Sequence, residues 1–309
     1  MKAQDRDDGG VTGPRVVVVG GGHGLAVTIR AVRRYAASTL AVVATADDGG
    51  STGRLRSAKD MLAPGDLRRC LVAMAGIDQH PLGRALEYRF AGTDVEGHAL
   101  GNLLLAALGE VTGDFLAAVD EVARLLDLDP GVAWVQPATV EPVQLVASTV
   151  DGGEVVGQVA VGATEGIAQV RLDPSGAKPP AGLVDAVAAA DQVVLGPGSL
   201  YTSVLAAAVV EDLRRAIAET GAQRIYVCNL RADGAETRGY DVMRHVEALC
   251  AHGVELDVAL VHADADIGSS GVDACGDAGV KVVTADLARP HGLAHDSVKL
   301  GDALAALLH

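Results

Sequence analysis

Apolar residues fall in short continuous runs that alternate with stretches of helical spacing. Val16–Val19 is an unbroken apolar run, the pattern of a strand covered on both faces. The spacing that follows predicts a helix over Leu25–Tyr35, and Leu40–Ala44 predicts a second strand. From Asp66 to Leu128 the pattern is helical with several Gly breaks. The stretch VAWVQPATVEPVQLVASTVDGGEVVGQVAV reads as strands, and Asp151–Gly153 between two alternating runs marks a hairpin. After Pro180 strands are predicted over Val193–Leu195, Arg224–Cys228, Val258–Val261 and Val280–Val283. Helices run between them to about Thr220 and to Cys250, and Val298–Leu308 closes the chain as an amphipathic helix. Alternation of this kind predicts an α/β fold, a doubly wound parallel sheet of Rossmann-like type, with the hairpin region as a small β excursion. No repeat and no linker interrupts it, so residues 15–309 are expected to form one domain behind a disordered tail over 1–14.

Composition narrows the partners. Of 309 residues 49% are hydrophobic and 21% charged, enough apolar material for a substantial core. The net charge of −15 argues against nucleic-acid and anionic-membrane surfaces, which are met with excess Lys and Arg. It leaves an anionic small ligand open, because local Arg and Gly-rich loops offset a global charge. The four Cys (Cys70, Cys228, Cys250, Cys275) form no C-x-x-C pair, so zinc is not expected, and buried reduced thiols in a cytoplasm are. No apolar run reaches the roughly 18 residues of a membrane span, and the first residues lack a signal-peptide core.

Candidate chemistry sits in loops that follow strands. Gly20, Gly21, Gly22 and Gly24 end the first strand, where bare backbone lets N–H groups approach phosphate oxygens at a helix start. A ligand-free turn would need one or two Gly. With Gly20 and Gly22 as the first two glycines of a dinucleotide fingerprint, the third position is Leu25, so NAD is open but not implied. His23 among them could donate to a phosphate or cap the helix. Asp47 and Asp48 end the second strand near the roughly 20-residue spacing of a ribose-binding acid. Adjacent residues point differently, so one carboxylate could hold ribose or a metal ion while the other caps the turn. Ser51, Thr52, Arg54 and Arg56 beside them weigh against two mere turn carboxylates.

Further along, Asp66 stands at a helix start, where an N-cap is the plainer reading. Arg68 and Arg69 in that first turn oppose the helix dipole, and a nearby anion would account for them. His98 and Asn102 are spaced to share one helix face, as a ligand contact or a satisfied core pair. Gly196-Pro197-Gly198 ends another strand, with Ser199, Tyr201, Thr202 and Ser203 around a helix start. Ser199 is a natural N-cap, but the clustered Gly, Pro and hydroxyls fit phosphate or sugar binding better. Tyr201 and Asn229, each after a strand, could read a base or sugar.

Seven pieces in order resemble the YvcK family of gluconeogenesis factors, within the CofD-like superfamily: GGGHGL, DDGGSTGRLR, PGDLRRCL, HALGNLLLAAL, AKPP, VVLGPGSLYTS and YVCNL followed by ET and GY. The resemblance runs from Val16 to about His245. It implies one Rossmann-like fold with an added segment. It implies a cytoplasmic regulator that binds nucleotide-sugars, chiefly UDP-N-acetylglucosamine, with roles in cell shape and wall and carbon metabolism. It also implies a protein partner there and leaves a homo-oligomer open. CofD enzymes of the same fold transfer 2-phospho-lactate from a guanylylated donor to a deazaflavin with a divalent metal. Here Asp48 is the candidate metal residue and Mg2+ the metal a nucleotide would bring. The alternatives are therefore a CofD-like transferase or an NAD-binding protein. The chain departs from the family at Arg231-Ala232-Asp233, at Ala206-Ala207 and at Ala294, where the family carries Arg.

Overall fold

The computed structural model describes residues 12–58, 61–92, 94–231, 234–265 and 279–308. Residues 1–11, which hold most of the expected tail, and Cys275, Ala232 and Asp233 lie outside them. Ten strands and twelve α-helices can be placed in the described residues. In chain order they are β1 (Arg15–Gly20), α1 (Gly22–Val32), β2 (Ser38–Val43), α2 (Gly50–Ala58), α3 (Pro64–Ala75), α4 (Pro81–Glu87), α5 (Leu100–Thr112) and α6 (Phe115–Leu125). There follow β3 (Ala133–Pro137), β4 (Gln144–Thr149), β5 (Glu154–Val156), α7 (Gln158–Gly162), β6 (Ile167–Asp173), α8 (Leu183–Ala188) and β7 (Gln192–Leu195). A π-helical turn, Leu200–Leu205, runs into α9 (Ala206–Ala208) and α10 (Glu211–Glu219). The chain ends with β8 (Gln223–Val227), α11 (Val242–Ala251), β9 (Val258–His262), β10 (Lys281–Ala285) and α12 (Ser297–Ala306).

Seven strands form one parallel sheet in the order β10-β9-β8-β7-β1-β2-β3. The run of four Val in β1 shows why both faces must be covered. Val17 and Val19 enter one core with Leu40, Val42, Val193 and Leu195, while Val16 and Val18 enter the other with Ala41, Val43 and Val194. A period of two on a sheet buried twice sends alternate residues of each strand into opposite cores. The second core is closed by α1, whose Leu25, Ile29 and Val32 recur at helical spacing, and by Leu300 and Leu304 of α12. This is a doubly wound α/β fold of Rossmann-like type.

The excursion is a three-stranded antiparallel sheet, β5-β4-β6, with its hairpin at the expected turn. Thr149 N–H donates to Gly153 O at 3.0 Å there. The stretch beginning at Gln158 was expected as strand and is the short helix α7. Alternating Val residues carry a β preference, but the carboxylate of Asp48 accepts the N–H groups of Gln158 (3.0 Å) and Val159 (2.9 Å) and caps a helical turn instead. The thiols also differ from expectation: Cys70 and Cys228 are buried, whereas Cys250 is exposed. Among the described residues no helix is long and apolar enough to cross a membrane.

Candidate functional site

Strand order reverses at β1: β2 lies on one side of it and β7 on the other. Loops leaving the two central strands therefore diverge and leave a crevice at their carboxyl ends. The loops Gly20–Gly24 and Gly196–Ser199 meet there. Gly196 N–H donates to Val19 O at 3.0 Å, and Thr28 Oγ1 donates to Gly196 O at 2.7 Å. A Cβ on Gly24 would lie 1.9 Å from Pro197 O, so the closeness of the two loops depends on that glycine. Asn229, at the end of β8, holds the second loop from below: Gly198 N–H donates to its Oδ1 and its Nδ2 donates to Gly198 O, both at 3.0 Å.

The crevice is an open cleft of about 460 Å³. Of the residues expected in a site, it is lined by Gly21, Gly22, His23, Gly24, Asp47, Ser51, Asp66, Arg68, Asn102, Gly198 and Ser199. Asp66 is not the N-cap of α3, a position that falls to Ala63. Pro64 starts the helix two residues earlier than the sequence suggests, because its fixed φ suits the first helical position. Asp66 instead turns toward α1. Its Oδ2 accepts the Gly22 N–H at 2.6 Å and its Oδ1 accepts Arg69 Nη1 at 2.5 Å. The Arg pair that opposed the helix dipole thus has partners: Arg69 has Asp66, and buried Arg68 has both oxygens of Glu87 at 3.0 Å.

From Arg68 a polar chain runs across the floor. Arg68 Nη1 donates to Asn102 Oδ1 (2.5 Å), Asn102 Nδ2 donates to Ser51 Oγ (3.0 Å), and Ser51 Oγ lies 3.0 Å from His98 Nδ1. Ser51 accepts from Asn102, and the direction of its contact with His98 follows the imidazole tautomer. Partial burial, with Arg54 and Arg89 nearby, holds the His98 pKa below its ordinary value, which favours the neutral ring. His98 and Asn102 were expected on one helix face. His98 precedes α5, whose N-cap is Ala99, and the two meet at Ser51 rather than along a helix.

Asp47 and Asp48 part company as adjacent residues must. Asp47 lines the cleft, and its Oδ1 accepts Gly49 N–H at 2.9 Å. Burial raises its pKa, and the negative charge of Asp66 adds to the rise. Asp48, the candidate metal residue, does not line the cleft, since both its oxygens cap α7. Seven other expected residues, Asn229 among them, act behind it or outside it. Arg54 donates to Glu96 O at 2.8 Å, while Gly196 and Pro197 shape the loop whose Gly198 Asn229 holds. Tyr201 is buried with its hydroxyl 2.9 Å from that of Tyr240, and Thr202 is buried, its carbonyl accepting Gln158 Nε2 at 3.4 Å. His98 reaches the cleft only through Ser51.

The cleft also includes Ser203, Thr52, Arg69, Arg89 and Gln158. The hydroxyls and Arg69 sit inside the motifs already singled out. Arg89 and Gln158 carry no local signal, because one lies between α4 and α5 and the other arrives on the folded-back excursion. Among the described residues no group of three or more His, Cys, Asp or Glu could hold a metal ion.

Comparison with known proteins agrees with this architecture. A crystal structure of a UPF0052-family protein from Bacillus halodurans superposes with a TM-score of 0.86 at 33% identity, over 96% of this chain and 99% of that one. A "Gluconeogenesis factor" of Halalkalibacterium halodurans is 39% identical over 253 residues, covering 81% of this chain and 77% of the relative. A "Putative gluconeogenesis factor" of Nostoc sp. is 40% identical over 257 residues, and the match covers 81% of this chain but only 55% of that longer relative. The sequence model of the family described as 2-phospho-L-lactate transferase CofD matches residues 16–299, from the first buried strand into the closing helix, and the chain belongs to that CofD family.

Proposed function

We propose that this chain is a cytoplasmic nucleotide-sugar-binding regulator, that its ligand is UDP-N-acetylglucosamine, and that it links carbon supply to wall metabolism and cell shape through a protein partner. The observation that carries the reading is the cleft at the β1/β7 switch point, with glycine backbone on one wall and Arg68, Arg69 and Arg89 around it. Its volume of about 460 Å³ falls within the range of small-molecule sites. Gly24 is occupied by contact with Pro197 O, so the β1 loop is bound to its neighbour instead of lying open beneath a long dinucleotide. A diphosphate flanked by one base and one sugar asks less of that loop.

Asp47 and Asp66 would stand near a bound diphosphate, and Mg2+ carried by the ligand would offset the three negative groups. Neither carboxylate needs to hold the ion alone. The name borne by the Halalkalibacterium relative agrees with a role in carbon metabolism.

The test is calorimetric titration with UDP-N-acetylglucosamine, NAD and GDP at equal Mg2+. Tighter binding of the UDP-sugar is expected, without consumption of it on prolonged incubation. Tighter NAD binding would move the chain to the dinucleotide reading. Tighter GDP binding, with transfer of 2-phospho-lactate to a deazaflavin from the guanylylated donor, would make it a CofD-like transferase.

A further inference from the structure

A second cavity, of about 400 Å³, is lined by residues none of which lines the cleft. Three separate pieces of chain wall it: β6, the junction between α9 and α10, and the end of α11. Leu172, Ala177 and Val210 make an apolar floor, all buried. The polar groups on its rim are unlike one another in one respect that matters.

His252 is fully used. It accepts Val170 N–H at Nε2 (2.9 Å), its Nδ1 lies 2.6 Å from Ala248 O, and burial lowers its pKa. It is a neutral fastener between β6 and α11. Arg171 is paired with Glu154 at 3.0 Å. Arg214 has neither. Among the described residues its guanidinium makes no hydrogen bond and no ion pair, although it is only half-exposed. Its place is fixed by packing: it lies over Gly253, where a Cβ would come within 2.6 Å of Nη1. Gly253 has φ +71°, so glycine is required there twice over. In a chain of net charge −15, a positioned and unpaired Arg facing a cavity is unusual.

We propose that this cavity is a second ligand site, for a small organic anion whose phosphate or carboxylate head pairs with Arg214 while its carbon body rests on the apolar floor. Guanidinium binds both head groups through parallel N–H bonds. The floor excludes inorganic phosphate as the best occupant, since an ion without a carbon body leaves apolar surface wet. The site is independent of the nucleotide-sugar reading, because no residue is shared between the two cavities.

The experiment titrates the full chain with glycerol 3-phosphate and, separately, butyrate, following backbone amides by NMR. Saturable shifts of Val209, Val210 and Gly253 are expected with one of them, at a dissociation constant on the order of 0.1–1 mM for so small a ligand. The probe that binds identifies the head group. Arg214→Gln should weaken it about tenfold or more, and Arg214→Lys should restore part of the loss. Unchanged melting of both variants shows that the fold is intact. No shift at these amides with either probe overturns the proposal, and so does binding that Arg214→Gln leaves unaltered.

Discussion

The carboxylate of Asp66 accepts the Gly22 N–H at 2.6 Å, at the N-terminus of α1. An internal anion therefore occupies the position that a glycine-rich loop and a helix start offer to phosphate. Asp66 also holds Arg69 at 2.5 Å. A diphosphate using that N–H must displace the carboxylate and would meet its charge. Asp66→Asn should tighten UDP-N-acetylglucosamine binding in Mg2+-free buffer by about three- to tenfold, roughly the 1 kcal/mol of one net hydrogen bond. With Mg2+ present the gain should vanish, because the carboxylate then faces the cation. Calorimetry in chelator and in Mg2+ reads both. Weaker binding in both buffers would mean that Asp66 holds the ligand directly.

Gly24 measures how rigidly the two loops are set. Its hypothetical Cβ meets backbone at Pro197 O, 1.9 Å away, which no rotamer change can relieve. Gly24→Ala should destabilise the fold by at least about 2 kcal/mol, within the range for overpacking. Urea unfolding would show a lowered midpoint at unchanged slope. A variant as stable as the parent would mean that the loops separate freely.

Asp48 has a different expected phenotype from its neighbour. Its oxygens accept the Gln158 and Val159 N–H groups, so Asp48→Ala removes the cap of α7. A cost of about 0.5–2 kcal/mol is expected, as for other N-caps. Ligand affinity should fall only modestly, because Asp48 does not line the cleft while Gln158 does. A large loss of affinity with unchanged melting temperature would return Asp48 to the ligand.

These contrasts show what the sequence could carry. The sheet was legible because burial on both faces leaves Val16–Val19 and its parallel partners as continuous apolar runs. The site's loops were legible because strand ends rich in glycine mark a sheet's carboxyl edge. The aim of single side chains was not. Asp47 and Asp48 are equivalent as letters, and only the return of α7 from a distant excursion decides that Asp48 faces away. Tyr201 looked like a base reader because it follows a strand end, yet the π-helical turn carries it inward to Tyr240. Arg89 and Gln158 reach the cleft through tertiary folding alone.

Asp47 is held at a cost. Burial, then the charge of Asp66, raises its pKa relative to an unfolded chain. The folded state then binds the proton more readily than the unfolded one, so the contribution to stability is present at low pH and is lost as pH rises through the folded pKa. At neutral pH the ionised group opposes folding. Asp47→Asn keeps the acceptor for Gly49 N–H and removes that charge. Its melting temperature at pH 7.5 should rise by about 1–3 °C, the scale of a fraction of a kcal/mol to one in a domain this size. Ligand binding in Mg2+ should weaken in the same variant. A fall in melting temperature would mean that the carboxylate's charge is compensated in the folded protein.

His295 works in the opposite sense. It is buried, its Nε2 has no hydrogen-bond partner among the described residues, and its pKa is lowered to about 4. Burial is the main cause, with the nearby His262 adding to it and a backbone bond to Cys228 opposing. An unfolded chain protonates this imidazole near pH 6.5. Between about pH 6.5 and 4 the unfolded state thus carries a proton that the folded state refuses, so stability falls as pH falls through this window. Each such group contributes at most about 1.4 kcal/mol per pH unit. His245 and His252 are lowered too, also by burial, and steepen the wild-type curve. His295→Gln should remove one proton's worth of slope between pH 6.5 and 5, above the range where most carboxylates titrate. Urea midpoints at half-unit steps would show it. Parallel curves for the two proteins would mean that His295 takes up its proton without opening the structure around it.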